Sequence, residues 1–239
     1  MSSISAVLIT QDEGERLEKT LRSIDWVDEI IIVDSGSTDT TLSIAKKYHA
    51  KIYQHTEWPG FGIQKQVALS YATSDWIFSI DADEVVSSEL KKSIQSAIKN
   101  LNYEAYQVRR RLIFQKKKIK YACGEERILR LVKRGVGYFD DNLVHEALHA
   151  DTKIGLLSGV LWHDSFLSIE AMVAKMNRYT SLAASTKKKS SLKKAIIRSA
   201  WMFCRVYFLK AGFLEGAAGF ILAYYFAENV YYKYVKSIH

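Results

Sequence analysis

The sequence predicts an α/β domain on a mostly parallel, doubly wound sheet, followed by a basic amphipathic helical tail. Three observations carry this. Short apolar runs alternate with helix-spaced segments through the first hundred residues, the pattern that builds parallel sheets. The fourth run, residues 76–80, ends abruptly in Asp81-Ala82-Asp83. The formal net charge of +8 lies entirely in the last 53 residues, since residues 1–186 hold 24 basic and 24 acidic side chains.

The elements follow in order. Residues 6–10 read as a short apolar strand, and residues 13–23 as a helix through Leu17 and Leu21. Residues 29–33 form a second strand ending at Asp34. The Ser35-Gly-Ser-Thr-Asp39 turn follows, with Asp39 placed to cap a helix over 40–48. A third strand spans 50–54, a helix 64–72, and the fourth strand 76–80. Ser87 opens a helix whose Leu90, Ile94, Ala97 and Ile98 face inward. Residues 105–114 and 127–132 read as further strands. The boundaries predict a catalytic domain over 1–165 and a helical tail over 166–239.

Composition excludes several classes. With 48% hydrophobic and 25% charged residues the chain is globular, not disordered. Cys123 and Cys204 form no metal pattern and point to a reduced, cytosolic chain without a signal peptide. The basic tail does not read as a nucleic-acid arm. Its Lys193, Lys194, Arg198, Arg205 and Lys210 alternate with Ile196, Ile197, Trp201, Phe203, Phe208 and Leu209. Basic and aromatic residues interleaved at helical spacing describe a helix lying in an anionic membrane surface. The uncharged stretch 216–227 is too short to span, since that takes about 20 residues. Tyr224, Tyr225, Tyr231, Tyr232 and Tyr234 suit the headgroup level. The competing reading is a helical pair packed on the domain with a solvated basic face.

The acids carry the chemistry. A buried strand that ends in two carboxylates delivers them to the edge of a sheet where ligands bind. Hard oxygen ligands beside a diphosphate suit Mg²⁺ or Mn²⁺. Asp34 follows strand two as Asp81 follows strand four. There it either accepts a hydrogen bond from a uracil N–H or ribose hydroxyl, or orders the Gly-Ser turn. Arg109-Arg-Arg111 cannot all share one strand face, so at least one turns to solvent or to a carboxylate.

Ile32-Val-Asp-Ser-Gly-Ser-Thr-Asp39, Gln64-Lys-Gln66 and Asp81-Ala-Asp-Glu84 together resemble the signature of family-2 glycosyltransferases. Trp26-Val-Asp-Glu-Ile30, Trp58-Pro-Gly-Phe-Gly62, Val144-His-Glu146 and the tail segment Phe208-Leu-Lys-Ala-Gly-Phe-Leu-Glu-Gly216 are similar to a subgroup. That subgroup is the bacterial lipopolysaccharide core β-1,4-glucosyltransferases, which modify an inner-core heptose. The resemblance implies a GT-A fold, a divalent metal, a UDP-sugar donor and inversion at the anomeric carbon. It assigns Asp83 to the metal and Asp81 to the ribose or the metal's water shell, with His163 a further metal ligand or a structural histidine. Nucleotide-sugar binding falls to Thr10, Asp34, Lys65, Asp81 and Ala82. Inversion needs one general base; Glu146 is the choice, with Asp140 and Asp141 as rivals. Asp12-Glu13 departs from the usual Asn-Glu, which leaves the part of Asp12 in nucleotide binding open.

The implied partners are a UDP-sugar, a lipid-linked lipopolysaccharide core acceptor and an anionic membrane, with no nucleic acid. The implied location is the cytoplasmic face of the bacterial inner membrane. Two other readings compete. A nucleotidyltransferase would carry a glycine-rich basic loop after strand one, where Gln11-Asp-Glu-Gly-Glu-Arg16 stands instead. A non-catalytic membrane module is disfavoured by intact Asp81, Asp83 and Glu146.

Overall fold

A computed structural model describes residues 2–100, 102–123, 125–140, 146–166, 168–185 and 189–238. In chain order the elements begin β1 (Ile4–Thr10), α1 (Gly14–Ser23), β2 (Glu29–Asp34), α2 (Thr41–Lys47), β3 (Lys51–Gln54) and α3 (Phe61–Ser70). Then come β4 (Trp76–Ser79), β5 (Glu84–Val86), α4 (Ser88–Ala97), β6 (Ala105–Phe114), β7 (Lys117–Lys118) and β8 (Glu126–Lys133). Last are β9 (Gly137–Phe139), β10 (Leu148–Ala150), β11 (Ile154–His163), α5 (Ile169–Ser185), α6 (Leu192–Cys204) and α7 (Ala217–Val235). The chain divides into two compact units, residues 1–110 with 126–163, and residues 111–125 with 164–239.

The sheet of the first unit runs β3-β2-β1-β4-β8-β6-β11-β5. Its β3-β2-β1-β4 half is parallel, as the alternating pattern predicts. From β4 onward the observed pairings β4–β8, β8–β6 and β11–β5 are antiparallel. The parallel half brings the carboxyl ends of β1, β2 and β4 to one edge, with Thr10 opposite Asp34. The antiparallel half adds a strand, β8, whose side chains reach the same acids.

Alternation along β1 fills both faces. Ala6 and Leu8 join one cluster with Leu17, Leu21, Phe78, Leu90 and Ile94. Val7 joins the other with Ile31, Val33, Ala68, Leu69, Ile77 and Val132. Ser87 caps α4 by accepting from the Leu90 N–H at 3.2 Å, as predicted. Helix α3 starts three residues before its predicted first residue because Gly60, at φ +113°, makes the turn into it. The Asp39 carboxylate accepts from the N–H groups of Thr41 and Gly14, both at 2.9 Å, tying the first turns of α2 and α1 together.

Glu29 shows how this unit uses a buried acid. It is 8% exposed and accepts from Lys51 Nζ (2.6 Å), the Thr73 N–H and Oγ1 (both 3.0 Å) and the Ser5 hydroxyl. Burial alone raises its pKa, but these donors outweigh it and hold the carboxyl at about 2. A depressed folded pKa stabilises above the unfolded value and loses that stability as pH falls through the folded one. Acid titration of stability is therefore expected to show about 2–3 kcal/mol lost between pH 5 and 2 through this group. Glu29→Gln should flatten that limb in urea melts followed across pH.

The second unit has its own core of Phe114, Ile119, Met172, Met176, Leu222 and Tyr225. Glu215 anchors it, accepting from the N–H groups of Lys120 (2.7 Å) and Tyr121 (3.0 Å) and pairing with Lys117 Nζ at 2.7 Å. The tail is helical as predicted, and no helix among the described residues is long and apolar enough to cross a membrane. The tyrosine-rich end does not face one way. Tyr225 is buried while its neighbour Tyr224 is 55% exposed, because consecutive helical residues point about 100° apart.

Candidate active site

The acids lie just past β4, where the strand stops and the chain turns through residues 81–83 into β5. Asp81 is gripped from two sides. Arg130 Nη2 of β8 donates to its Oδ2 at 2.6 Å, and Lys65 Nζ of α3 lies 2.8 Å from its Oδ1. Lys65 also donates to Glu146 Oε1 at 3.1 Å, so one ammonium joins the DXD acid to the proposed base. Burial pushes the Asp81 carboxyl up, but Arg130 and Lys65 outweigh it and hold it well below the usual carboxylate range.

Arg130 is the residue that sequence reading missed. It is 5% exposed, and its Nη2 also donates to Glu84 Oε1 at 2.8 Å. Glu84, fully buried, takes Arg110 Nη1 at 3.2 Å and accepts from the Asp81 N–H at 3.0 Å. The Arg130 Nε is buried without a hydrogen-bond partner. The sequence signal for this network was Glu84 directly after the acid motif, with arginines at 109–111, 127 and 130 in later strands. Of the arginine run, Arg110 turns to Glu84 and Glu126, and Arg111 pairs with Glu125, as the face argument requires.

Asp83 sits apart from that pair. Its Oδ2 lies 3.2 Å from His163 Nε2 at the end of β11 and 3.4 Å from Arg16 Nη1 of α1. Burial raises its pKa, as does the Asp81 charge, but His163 and Arg16 leave it lowered overall. Two ligands on adjacent positions of a cation with bonds of about 2.1 Å stand about 3 Å apart, so this oxygen and nitrogen can share one metal ion. Among the described residues no group of three or more His, Cys, Asp and Glu side chains is arranged to hold a metal. Asp81 is held by Lys65 and Arg130.

Asp34 orders its turn, one of the two readings that its position left open. It is fully buried, and its carboxylate accepts from the Thr10 hydroxyl (2.9 Å), the Gly36 N–H (3.0 Å), and the N–H (2.9 Å) and hydroxyl of Ser37. It fixes the turn instead of presenting a free acceptor, and Thr10 serves it. Ala82 is buried, its carbonyl accepting from the Thr20 hydroxyl at 2.7 Å. Asp12, in the left-handed region at φ +51°, accepts from the Thr38 N–H at 2.8 Å and so shapes the same loop. Of the rivals to Glu146, Asp140 pairs with His149 Nε2 at 2.9 Å, and Asp141 lies outside the described residues. His145 lies outside them as well.

A model of the family described as Glycosyl transferase family 2 matches residues 5–146, the stretch that carries all the motif acids. The chain belongs to glycosyltransferase family 2. This family-2 glycosyltransferase is 32% identical to an uncharacterized glycosyltransferase of Rickettsia typhi, over 99% of this chain and 87% of that one. It is 30% identical to the lipopolysaccharide core biosynthesis glycosyltransferase LpsC of Rhizobium meliloti, over 97% of this chain and 93% of LpsC. Among solved structures, residues 1–349 of S. aureus TarS match with a TM-score of 0.53 at 16% identity, over 99% of this chain and 88% of that one. The fold of the glycosyltransferase is GT-A. The same part of TarS in complex with UDP-GlcNAc matches with a TM-score of 0.52 at 15% identity.

Proposed function

We propose that this glycosyltransferase moves a hexose from a UDP-sugar, glucose by its subgroup resemblance, onto an inner-core heptose of lipopolysaccharide with inversion. The observation that carries this reading is Lys65, which holds Asp81 and Glu146 in one cluster at the sheet edge. Glu146 takes the proton of the acceptor hydroxyl as its oxygen bonds to the anomeric carbon. The bond from that carbon to the diphosphate breaks, and UDP leaves with the electron pair. A bound Mg²⁺ or Mn²⁺ supplies Lewis-acid stabilisation of the leaving diphosphate. Asp83 and His163 are the residues that would hold it, with Lys65 adding positive charge nearby. LpsC, a relative over nearly the whole chain, is what supports a lipopolysaccharide acceptor.

Calorimetry tests the donor half, with UDP-glucose, UDP-galactose and UDP-N-acetylglucosamine each titrated in Mn²⁺ and in chelator. The third sugar is included because TarS, of the same fold, was crystallised with it. Metal-dependent binding with one sugar preferred is the expected result. Asp83→Ala should weaken donor binding in Mn²⁺ at least tenfold and leave the residual binding indifferent to chelator; a Mn²⁺ dependence equal to wild type sinks the metal assignment.

The second unit supports a peripheral membrane role at the cytoplasmic face. By sequence the first unit sums to a formal charge of −4 and the second to +12. Helix α6 buries only Ala195, while Leu192, Ile196, Ile197 and Trp201 are each more than half exposed. Lys193, Lys194 and Arg198 alternate with them along the same helix. An exposed helix face on which apolar and basic side chains interleave is matched by an anionic bilayer. Sedimentation with phosphatidylglycerol vesicles should show binding that weakens with salt, and Ile197→Asp/Trp201→Ser together should reduce it about tenfold or more.

A further inference from the structure

The mechanism above leaves one exposed feature of the first unit unused. Trp58 and Phe61 form an edge-to-face pair with ring centroids 4.8 Å apart and planes at 87°. Both are exposed, Trp58 to 45%, in a unit whose other large aromatic side chains mostly pack inward. Trp58 lies on the loop that leads into α3 and Phe61 opens that helix, with Pro59 and Gly60, at φ +113°, between them.

Position relates the pair to the base. Phe61 and Lys65 are four residues apart on α3, hence on one helix face a turn apart, and Lys65 is the residue that holds Glu146. Gly62 packs against the segment that carries Glu146 so closely that an added Cβ would meet the Asp140 carbonyl at 2.1 Å and Glu146 Cβ at 3.4 Å. Adding one Cα–Cα step and one Cα–Cβ bond places Phe61 Cα no more than about 9 Å from Glu146 Cβ.

We propose that Trp58 and Phe61 are the platform on which the acceptor sugar ring stacks, so that its hydroxyl meets Glu146. This rests on Glu146 being the base. The base must touch the acceptor hydroxyl, so the ring bearing that hydroxyl lies within a few ångströms of Glu146. A pyranose offers an apolar face of C–H bonds and a polar rim of hydroxyls. An exposed aromatic ring, with its negative π-face, meets that face, while charged groups meet the rim. Two rings locked against each other lose little entropy on binding. The occupant is a sugar and not a membrane, because this unit carries net negative charge and the basic side chains that attract an anionic bilayer lie in the other unit.

The test measures binding of a delipidated inner-core oligosaccharide ending in heptose, in UDP and Mn²⁺, to wild type, Trp58→Ala, Trp58→Phe and Phe61→Ala. UDP affinity is measured on each as the control for folding. The expected result is a tenfold or greater loss of oligosaccharide affinity for Trp58→Ala, a smaller loss for Trp58→Phe, and unchanged UDP affinity. Equal oligosaccharide affinity in wild type and Trp58→Ala overturns the platform and leaves the proposed reaction standing. No binding to wild type overturns the platform and the heptose acceptor together. Loss of vesicle binding by Trp58→Ala, with oligosaccharide affinity intact, reassigns the pair to the membrane and overturns the proposal.

Discussion

Glu146→Gln is expected to bind UDP-sugar at near wild-type affinity and to transfer about 10²- to 10⁴-fold more slowly, the usual worth of a general base. The amide keeps the shape of the side chain and a carbonyl oxygen for Lys65 but cannot take a proton. Binding and turnover therefore separate. The comparison with Asp140→Asn decides between the two acids that the structure describes. Asp140 is already paired with His149 at 2.9 Å, whereas Glu146 shares Lys65 with Asp81. Loss of transfer in Asp140→Asn with near-normal transfer in Glu146→Gln would move the base. Near-normal transfer in both would move it to Asp141. Because Lys65 bonds both acids, Lys65→Met should lower donor affinity and transfer together, a double effect that neither acid variant alone would show.

The parallel half of the sheet was legible because each of its strands is a short apolar run between helix-spaced segments. In the antiparallel half, residues 105–114 and 127–132 were read as strands and form β6 and β8, whereas β11 and the three-residue β5 were not read, and nothing in the sequence gives the direction in which these strands pair. The acids were legible by position, at the ends of strands. Their partners were not, because Arg130 and Glu84 read as ordinary charges in sequence and meet only when β8 is laid beside β4. Asp34 shows the converse. Its position left two readings, base reader or turn former, and the turn it begins folds back onto both its oxygens. Strand ends announce where chemistry is placed, while the division between ligand and scaffold is settled by contacts across the sheet.

Arg130→Met is expected to be the most destabilising single change at the site. Arg130 is buried with its charge spent on Asp81 and Glu84, and removing one partner of a buried ion network costs about 3–5 kcal/mol, here at the low end because Lys65 still holds Asp81 and Arg110 still holds Glu84. Arg130→Lys should recover part of this, since it keeps the charge, while its shorter side chain carries the ammonium less far toward the two carboxylates that Nη2 bridges. The pH dependence has a definite sign. In wild type the Asp81 pKa is depressed, so its contribution is fully present at neutral pH and is lost as pH falls through and below the ordinary carboxylate range. The gap between wild type and Arg130→Met should thus be widest near pH 7 and narrow toward pH 3, where the two carboxylates, each short of one partner, protonate. A second signature separates this from a packing defect. The acid limb of activity should move upward in Arg130→Met, because Asp81 then ionises at a higher pH, and Arg130→Lys should move it part of the way back. Urea melts from pH 3 to 8 that show a constant gap, with an unmoved acid limb, would mean that Arg130 fills space and does not hold Asp81 in its charged state.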